Sequence, residues 1–402
     1  MESMKEQCKA VQPYVVEMRR KLHEFPELGI HIPKTQDFIC AELDKMGIPY
    51  EKNTYEKDGV LDTGIVALIK GKNTDKVIAL RADMDGLPVK ELNDLPYNSK
   101  TEGQMHACGH DNHMAMLLGA AKVLNDNKDK LNGSVKLFFQ TGEEIITGAK
   151  MLINGGCMEN PKVTACFGMH VWPMDPAVYE PGQVIVIPGC MMASGNRFVI
   201  RVKGVGCHGS LPQLGVDPIV AASQIVVALQ NIASRELPGS EPRVLSICQF
   251  HAGSFWNVIP NEVMMEGTIR TTSVETRAYY LKRVEEISKG ISAALRCECE
   301  VEWVDGTPPV LNDPALTELV VNAGKKVLGE NGITQNFSAS MGNEDFAYFQ
   351  EKVPGVFVFL NTANADKDTY IALHSPVFQV DEDVLWHGTA LHVQTAMDYL
   401  SE

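Results

Sequence analysis

The chain reads as an α/β protein in which a small domain is set into a larger one, and three observations predict this. Short apolar strands alternate with helical stretches over the first half, the pattern of a sheet covered on both faces. Between about residues 188 and 304 the rhythm becomes strand, helix, strand, strand, helix, strand, the ferredoxin-like order. At 402 residues the chain also exceeds one comfortable hydrophobic core, so length makes two domains the prior expectation.

The elements follow in order. Residues 13–46 read as helical, broken at Pro26-Glu27-Leu28-Gly29, where proline and glycine interrupt the repeat. Apolar runs at 64–69, 77–80, 135–139, 163–169 and 355–360 read as buried strands. Residues 113–124 are apolar nearly all round and read as a buried helix. The inserted region reads as strand 197–203, helix 217–234, strands 244–253 and 262–271, helix 273–295 and strand 298–304. It is bounded by Pro188-Gly189 and Gly306-Thr307-Pro308-Pro309. The expected division is therefore 1–187 with 305–402 as a discontinuous large domain, and 188–304 as the insertion.

Composition narrows the function. With 45% apolar and 22% charged residues the chain is ordinary globular material. A formal net charge of −15 disfavours non-specific binding to nucleic acid or to an anionic membrane. Segment 1–8 is polar and reads into helix, without the apolar core of a signal peptide. No run approaches roughly 18 consecutive apolar residues, so no membrane span is expected. Ten cysteines without an export signal read as reduced thiols of a cytoplasmic protein. Cys297 and Cys299 read as two thiols on one face of a strand.

The chemistry sits in two short segments. One is Met105-His106-Ala107-Cys108-Gly109-His110-Asp111-Asn112-His113, and the other is Gly142-Glu143-Glu144. Single histidines follow in Gly168-Met169-His170-Val171-Trp172-Pro173 and Leu373-His374-Ser375-Pro376. Thiolate, imidazole and carboxylate together suit a divalent ion such as zinc or manganese, and cobalt or nickel would also accept the set. Asp83 and Asp85 follow the 77–80 strand, the glutamates follow 135–139, and His170 follows 163–169. Ligands of open α/β sheets bind outside the carboxyl ends of the strands, so three such placements point to one site. Cys108 and His110, two apart in a glycine-containing loop that opens a helix, can turn toward one point. His106 and His113 have the right chemistry but read as supporting residues, since a helix-facing histidine is more often structural. Neighbouring Glu143 and Glu144 are directed differently by the chain, so one can bind metal while the other faces the attacking water. An isolated acidic pair would merely solvate a helix start. His170 and His374 complete five ligands, enough for two ions roughly 3.5–4 Å apart.

These segments resemble the metallopeptidase family of the aminoacylases and glutamate carboxypeptidases. Within it they resemble the amidohydrolase branch of hippurate hydrolases, auxin-conjugate hydrolases and N-acetyldiaminopimelate deacetylases. The likeness continues through Arg19-Arg20-Lys21-Leu22-His23-Glu24-Phe25-Pro26-Glu27-Leu28-Gly29, Leu80-Arg81-Ala82-Asp83-Met84-Asp85-Gly86-Leu87-Pro88 and Met341-Gly342-Asn343-Glu344-Asp345-Phe346. It covers essentially the whole chain. The resemblance implies two divalent ions per subunit on Cys108, His110, Glu144, His170 and His374, with Glu143 as general base. It implies a homodimer joined through the inserted domain, which also acts as a lid. His208, in Gly206-Cys207-His208-Gly209-Ser210, matches the family position whose imidazole stabilises the tetrahedral intermediate. Asn257 and Arg270 are weaker candidates for substrate binding, Arg270 because a guanidinium grips a carboxylate bidentately.

Two departures stand out. Thr141-Gly142 replaces the Pro-Ala that the branch usually carries before the glutamates, which should free the backbone there. Cys207 stands where other residues are more frequent, and reads as a bystander or a pocket wall. The expected function is metal-dependent hydrolysis of a small N-acyl amino acid, or related conjugate, to a carboxylate and a free amine. A dipeptidase or carboxypeptidase is the alternative within the family. A non-catalytic metal-binding protein on the same scaffold is the alternative outside enzymes, and a carboxylate placed beside a full ligand set argues against it.

Overall fold

In a computed structural model, residues 3–73 and 75–401 are described; the first two residues of the polar N-terminal segment lie outside them. The chain forms two compact units. The larger comprises the chain up to Met191, Leu311–Ser338 and everything from Asp345 onward. The smaller comprises Met192–Val310 and Ala339–Glu344.

The larger unit is built on an eight-stranded mixed sheet. At its centre Ser134–Gln140, Val77–Asp83, Ala165–Trp172 and Gly355–Asn361 lie side by side and parallel. All four are buried almost throughout, as strands covered on both faces must be. Ile65–Ile69 and Tyr50–Lys52 extend one side antiparallel, and Val184–Ile185 with Ile333–Thr334 close the other. Alternate residues face opposite ways. Leu80, Leu137, Met169 and Val358 join one core with helices Gln12–His23, His110–Asp126 and Leu385–Ser401. On the opposite face Phe138, Phe346, Phe349 and Phe357 stack in a chain of ring contacts.

The strands run further than their apolar cores suggest. Asp83 is the last residue of its strand and His170 lies inside Ala165–Trp172, each expected beyond the end. The reason is that pairing is a backbone property: His170 still faces Phe359 in the parallel register, whatever its side chain. The buried helix likewise starts at His110, not at residue 113, because its polar first turn carries no apolar periodicity. The 13–46 region is two helices, Gln12–His23 and Pro33–Met46, the second beginning on a proline, which costs no hydrogen bond in the first turn. No helix of the described residues is long and apolar enough to cross a membrane.

The smaller unit is ferredoxin-like. Its four-stranded antiparallel sheet has the order Arg243–Ala252, Glu262–Thr271, Ser194–Lys203, Glu298–Thr307. Helices Pro218–Arg235 and Val274–Ala294 bury Ile225, Leu229, Tyr280 and Val284 against it. Asp217 and Ser273 cap them by accepting the N–H groups of Ile219 and Thr276. The 339–344 segment, expected with the larger domain, clusters here: Ala193 N–H donates to Ser340 O at 2.8 Å, a contact no local pattern announces. Cys297 precedes the last strand and is buried, Cys299 lies within it, and all ten cysteines are free thiols.

Candidate metal centre

The centre begins with a backbone constraint. Gly109, between Cys108 and His110, has φ +86°, and a Cβ there would lie 2.4 Å from Val171 Cγ2. Only glycine meets both demands, and it lets Cys108 and His110 face the same point. Cys108 is buried, with its Sγ 3.3 Å from His170 Nε2 and 3.3 Å from His374 Nε2. His374 arrives from a distant loop in the left-handed region, φ +64°, and its N–H donates to Ala107 O at 2.8 Å, tying the two loops together.

In His110 and His170 the other ring nitrogen sets the orientation. His110 Nδ1–H donates to Asp85 O at 2.8 Å, and His170 Nδ1–H donates to Val171 O at 2.5 Å. Both rings therefore turn Nε2 toward the cluster, the nitrogen a ligating imidazole would offer to a cation. His110 Nε2 lies 3.8 Å from Glu144 Oε1 and 4.0 Å from Glu143 Oε2, and His374 Nε2 lies 3.6 Å from Glu144 Oε1. Donor atoms of Cys108, His110 and His170 lie within 4.8 Å of one another, as do those of Cys108, Glu144 and His374. The thiol belongs to both sets.

Whether such a set fits divalent ions can be judged from its unmet needs. His110 Nε2 and Glu144 Oε1 are buried without a hydrogen-bond partner, which is costly unless something else satisfies them. Burial and the nearby Asp85 push the Glu144 carboxyl up to about 7. Burial, with Glu144, Glu143 and Asp83 beside it, pushes the Cys108 thiol well above its ordinary range. A crowd of acidic groups short of positive charge, with soft and hard donors converging, fits divalent cations. Asp83, His110 and His113 form a third cluster that does not fit. His113 Nδ1–H donates to Asp83 at 2.5 Å and Nε2 accepts Val171 N–H at 2.8 Å, so no lone pair is left. Asp83 is further engaged by Arg81 at 2.7 Å. His106 is buried near His23, ring centroids 6.5 Å apart, with both ring nitrogens unpartnered.

Sequence reasoning noted Asp85 but gave it no role. Its carboxylate oxygens accept the N–H groups of Glu143 (3.1 Å) and Glu144 (3.2 Å) while its carbonyl holds His110. One residue thus orients a ligand histidine and both glutamates, through main-chain contacts that no motif spacing reveals. Asp85→Ala is expected to cost about 10–100-fold in metal retention or turnover, the usual effect of losing a group that orients ligands. Metal content measured after dialysis, alongside kcat, checks this.

The turn before the glutamates is not loosened by the loss of proline, contrary to expectation. Gly142 has φ +56°, its N–H donates to Gly29 O, and its carbonyl accepts Thr147 and Gly148 N–H groups. The buried Thr141 hydroxyl donates to Asp62. A Cβ on Gly142 would approach Ile30 Cγ2 to 2.6 Å, so glycine here serves a fixed turn.

In the smaller unit His208 and Asn257 come together. Cys207–His208 pairs with Val258–Ile259, and Gly209 N–H donates to Asn257 O at 2.8 Å. Arg270 lies elsewhere on the sheet, over Gly195, where its guanidinium donates to Asn343 Oδ1. Cys207 packs on Gly215, where a Cβ would lie 2.6 Å from its Sγ.

The comparisons agree with this architecture. The model of peptidase family M20/M25/M40 matches residues 79–398. The chain is 37% identical over 393 residues to IAA-amino acid hydrolase ILR1-like 4 of Arabidopsis thaliana, covering 97% of this chain and 86% of that one. It is 38% identical over 383 residues to an N-acetylcysteine deacetylase of Bacillus subtilis, covering 94% of each. A crystal structure from Bacillus subtilis, described as a dinuclear metal binding peptidase of family M20, superposes with a TM-score of 0.83 at 35% identity, covering 98% of this chain and 99% of that one. The chain belongs to peptidase family M20/M25/M40.

Proposed function

We propose that this protein is a metal-dependent amidohydrolase that cleaves the amide bond of N-acyl amino acids or related conjugates. The observation that carries this is the convergence of two donor sets on Cys108 with a further carboxylate, Glu143, alongside. Two divalent ions per subunit, zinc or manganese by donor chemistry, would be held by Cys108, His110, Glu144, His170 and His374. When bound, they supply Lewis acidity toward the amide carbonyl. Glu143 takes a proton from the attacking water and returns it to the leaving nitrogen. The His208 imidazole donates to the developing oxyanion. Arg270 is hydrogen-bonded to the neutral amide of Asn343, and its guanidinium suits the free carboxylate of the substrate; Asn257 contributes a polar contact beside His208.

The relatives' printed names, an IAA-amino acid hydrolase and a deacetylase, support acyl amino acids as the substrate class. Turnover of acetyl-, benzoyl- and indolylacetyl-amino acids with Zn²⁺, Mn²⁺ and Co²⁺, beside unacylated dipeptides, tests it. Release of amine from the acylated series is expected. Activity confined to unacylated peptides would favour a dipeptidase instead.

We read the protein as a cytoplasmic homodimer, supported by its ten free thiols and by the smaller unit's surface. Its edge strand Arg243–Ala252 has a neighbour on one side only, and Phe250, Phe255 and Trp256 are 41%, 63% and 87% exposed. Unpaired edges and exposed aromatics mark interfaces. His208→Ala is expected to lower kcat roughly 10²–10³-fold, as for other oxyanion donors, with metal content intact and substrate affinity little changed. If His208 acts across a dimer, mixing Glu143→Gln and His208→Ala subunits regenerates activity in hybrids.

A further inference from the structure

His208 Nδ1 faces two donors from one residue, the Ser210 backbone N–H at 3.1 Å and the Ser210 hydroxyl at 2.8 Å. A backbone N–H can only donate, so Nδ1 presents its lone pair and the proton of the neutral ring sits on Nε2. Two of the three ligand histidines are arranged the opposite way. At His110 and His170 the Nδ1 partner is a carbonyl oxygen, which draws a proton to Nδ1 and leaves Nε2 as the nitrogen that faces the donor cluster. The same chain thus gives His110 and His170 acceptor partners and His208 donor partners.

The segment that sets this up is held on several sides. Cys207 and His208 pair with Ile259 and Val258, Gly209 N–H donates to Asn257 O, and Leu211 N–H donates to His208 O at 2.8 Å. A Cβ on Gly209 would lie 3.1 Å from Asn257 O, so this short turn has little room to shift.

We propose that Ser210 is a positioning residue that fixes His208 as the Nε2–H tautomer, so that its free nitrogen is a hydrogen-bond donor before substrate arrives. The proposal rests on the reading of His208 as the oxyanion donor. In the other tautomer Nε2 would turn a lone pair toward developing negative charge, and catalysis would first require a proton to move. A preorganised donor avoids that step.

The test uses the full-length, metal-loaded protein with ¹⁵N in its histidine rings, the His208 signals assigned by their loss in His208→Gln. The wild type is expected to show an acceptor-type Nδ1 and a protonated Nε2. Ser210→Ala removes the hydroxyl and should weaken that preference, lowering kcat about 2–10-fold, the range of one hydrogen bond, with KM and metal content unchanged. Ser210→Thr should restore both the ring signals and kcat. A wild-type ring protonated on Nδ1, or a Ser210→Ala variant with unchanged signals and kcat, would overturn the proposal. Full turnover in His208→Ala would instead overturn the oxyanion reading and Ser210's positioning role with it, while the ring signals still decide the tautomer.

Discussion

Glu143→Gln is expected to keep its metal and lose roughly 10²–10⁴-fold in kcat, the usual contribution of a general base. Glu144→Gln is expected to lose metal. The two residues are adjacent in sequence and their backbone N–H groups are held by the same Asp85 carboxylate, so neither substitution disturbs the turn that presents them. Their surroundings differ. Glu144 approaches both His110 and His374, at 3.8 and 3.6 Å, and joins Cys108 and His374 in one donor set. Glu143 approaches His110 at 4.0 Å and groups with it and Glu144, but is absent from the two sets that share the thiol. Glutamine preserves shape and removes the proton acceptor, so the pair separates base from ligand cleanly. Metal stoichiometry by atomic emission and single-turnover rates on an acylated amino acid are the measurements. A Glu143→Gln protein stripped of metal beside a loaded Glu144→Gln protein would reverse the two roles.

Much of this was legible in the residues, and what escaped has a common cause. Apolar runs located the central strands because burial on both faces demands them, and the insertion was readable from a different signal, strands that alternate between a buried and a more exposed face and are separated by long helices. Strand ends were not, since Asp83 and His170 stay in register through backbone pairing that their polar side chains do not advertise. The donor set was readable from residue type and grouping. The parts that orient it were harder: Asp85 acts through main-chain N–H groups, and His113, chemically indistinguishable from a ligand in sequence, spends both nitrogens on Asp83 and Val171. Gly142 shows the limit most clearly. As a glycine replacing the usual alanine just after a lost proline it suggested freedom, yet its left-handed φ and three backbone hydrogen bonds hold one conformation. Whether glycine loosens a chain or permits a specific turn depends on partners distant in sequence, here Gly29.

Chelation is expected to abolish turnover, and a divalent ion to restore it, but ion counting on single variants is the sharper test. Cys108 is common to the set with His110 and His170 and to the set with Glu144 and His374. If each set serves one ion, His170→Ala and His374→Ala should each fall from two ions toward one, and lose different ones. Cys108→Ala should weaken both, because the shared thiolate is the only soft donor and its charge offsets two cations. Losing it should reduce retention by at least about 100-fold, above the 10–100-fold seen when merely orienting groups are removed. Cys108→Ser restores size but neither the softness nor the ready ionisation of sulfur, and should resemble alanine more than wild type. Because ions that bind only the folded state stabilise it, Tm should track the ion count across the series, independently of any assay for substrate. Two tightly held ions in Cys108→Ala would show that the thiol does not join the sets. Full activity in a demonstrably metal-free preparation would remove metal from the reaction altogether.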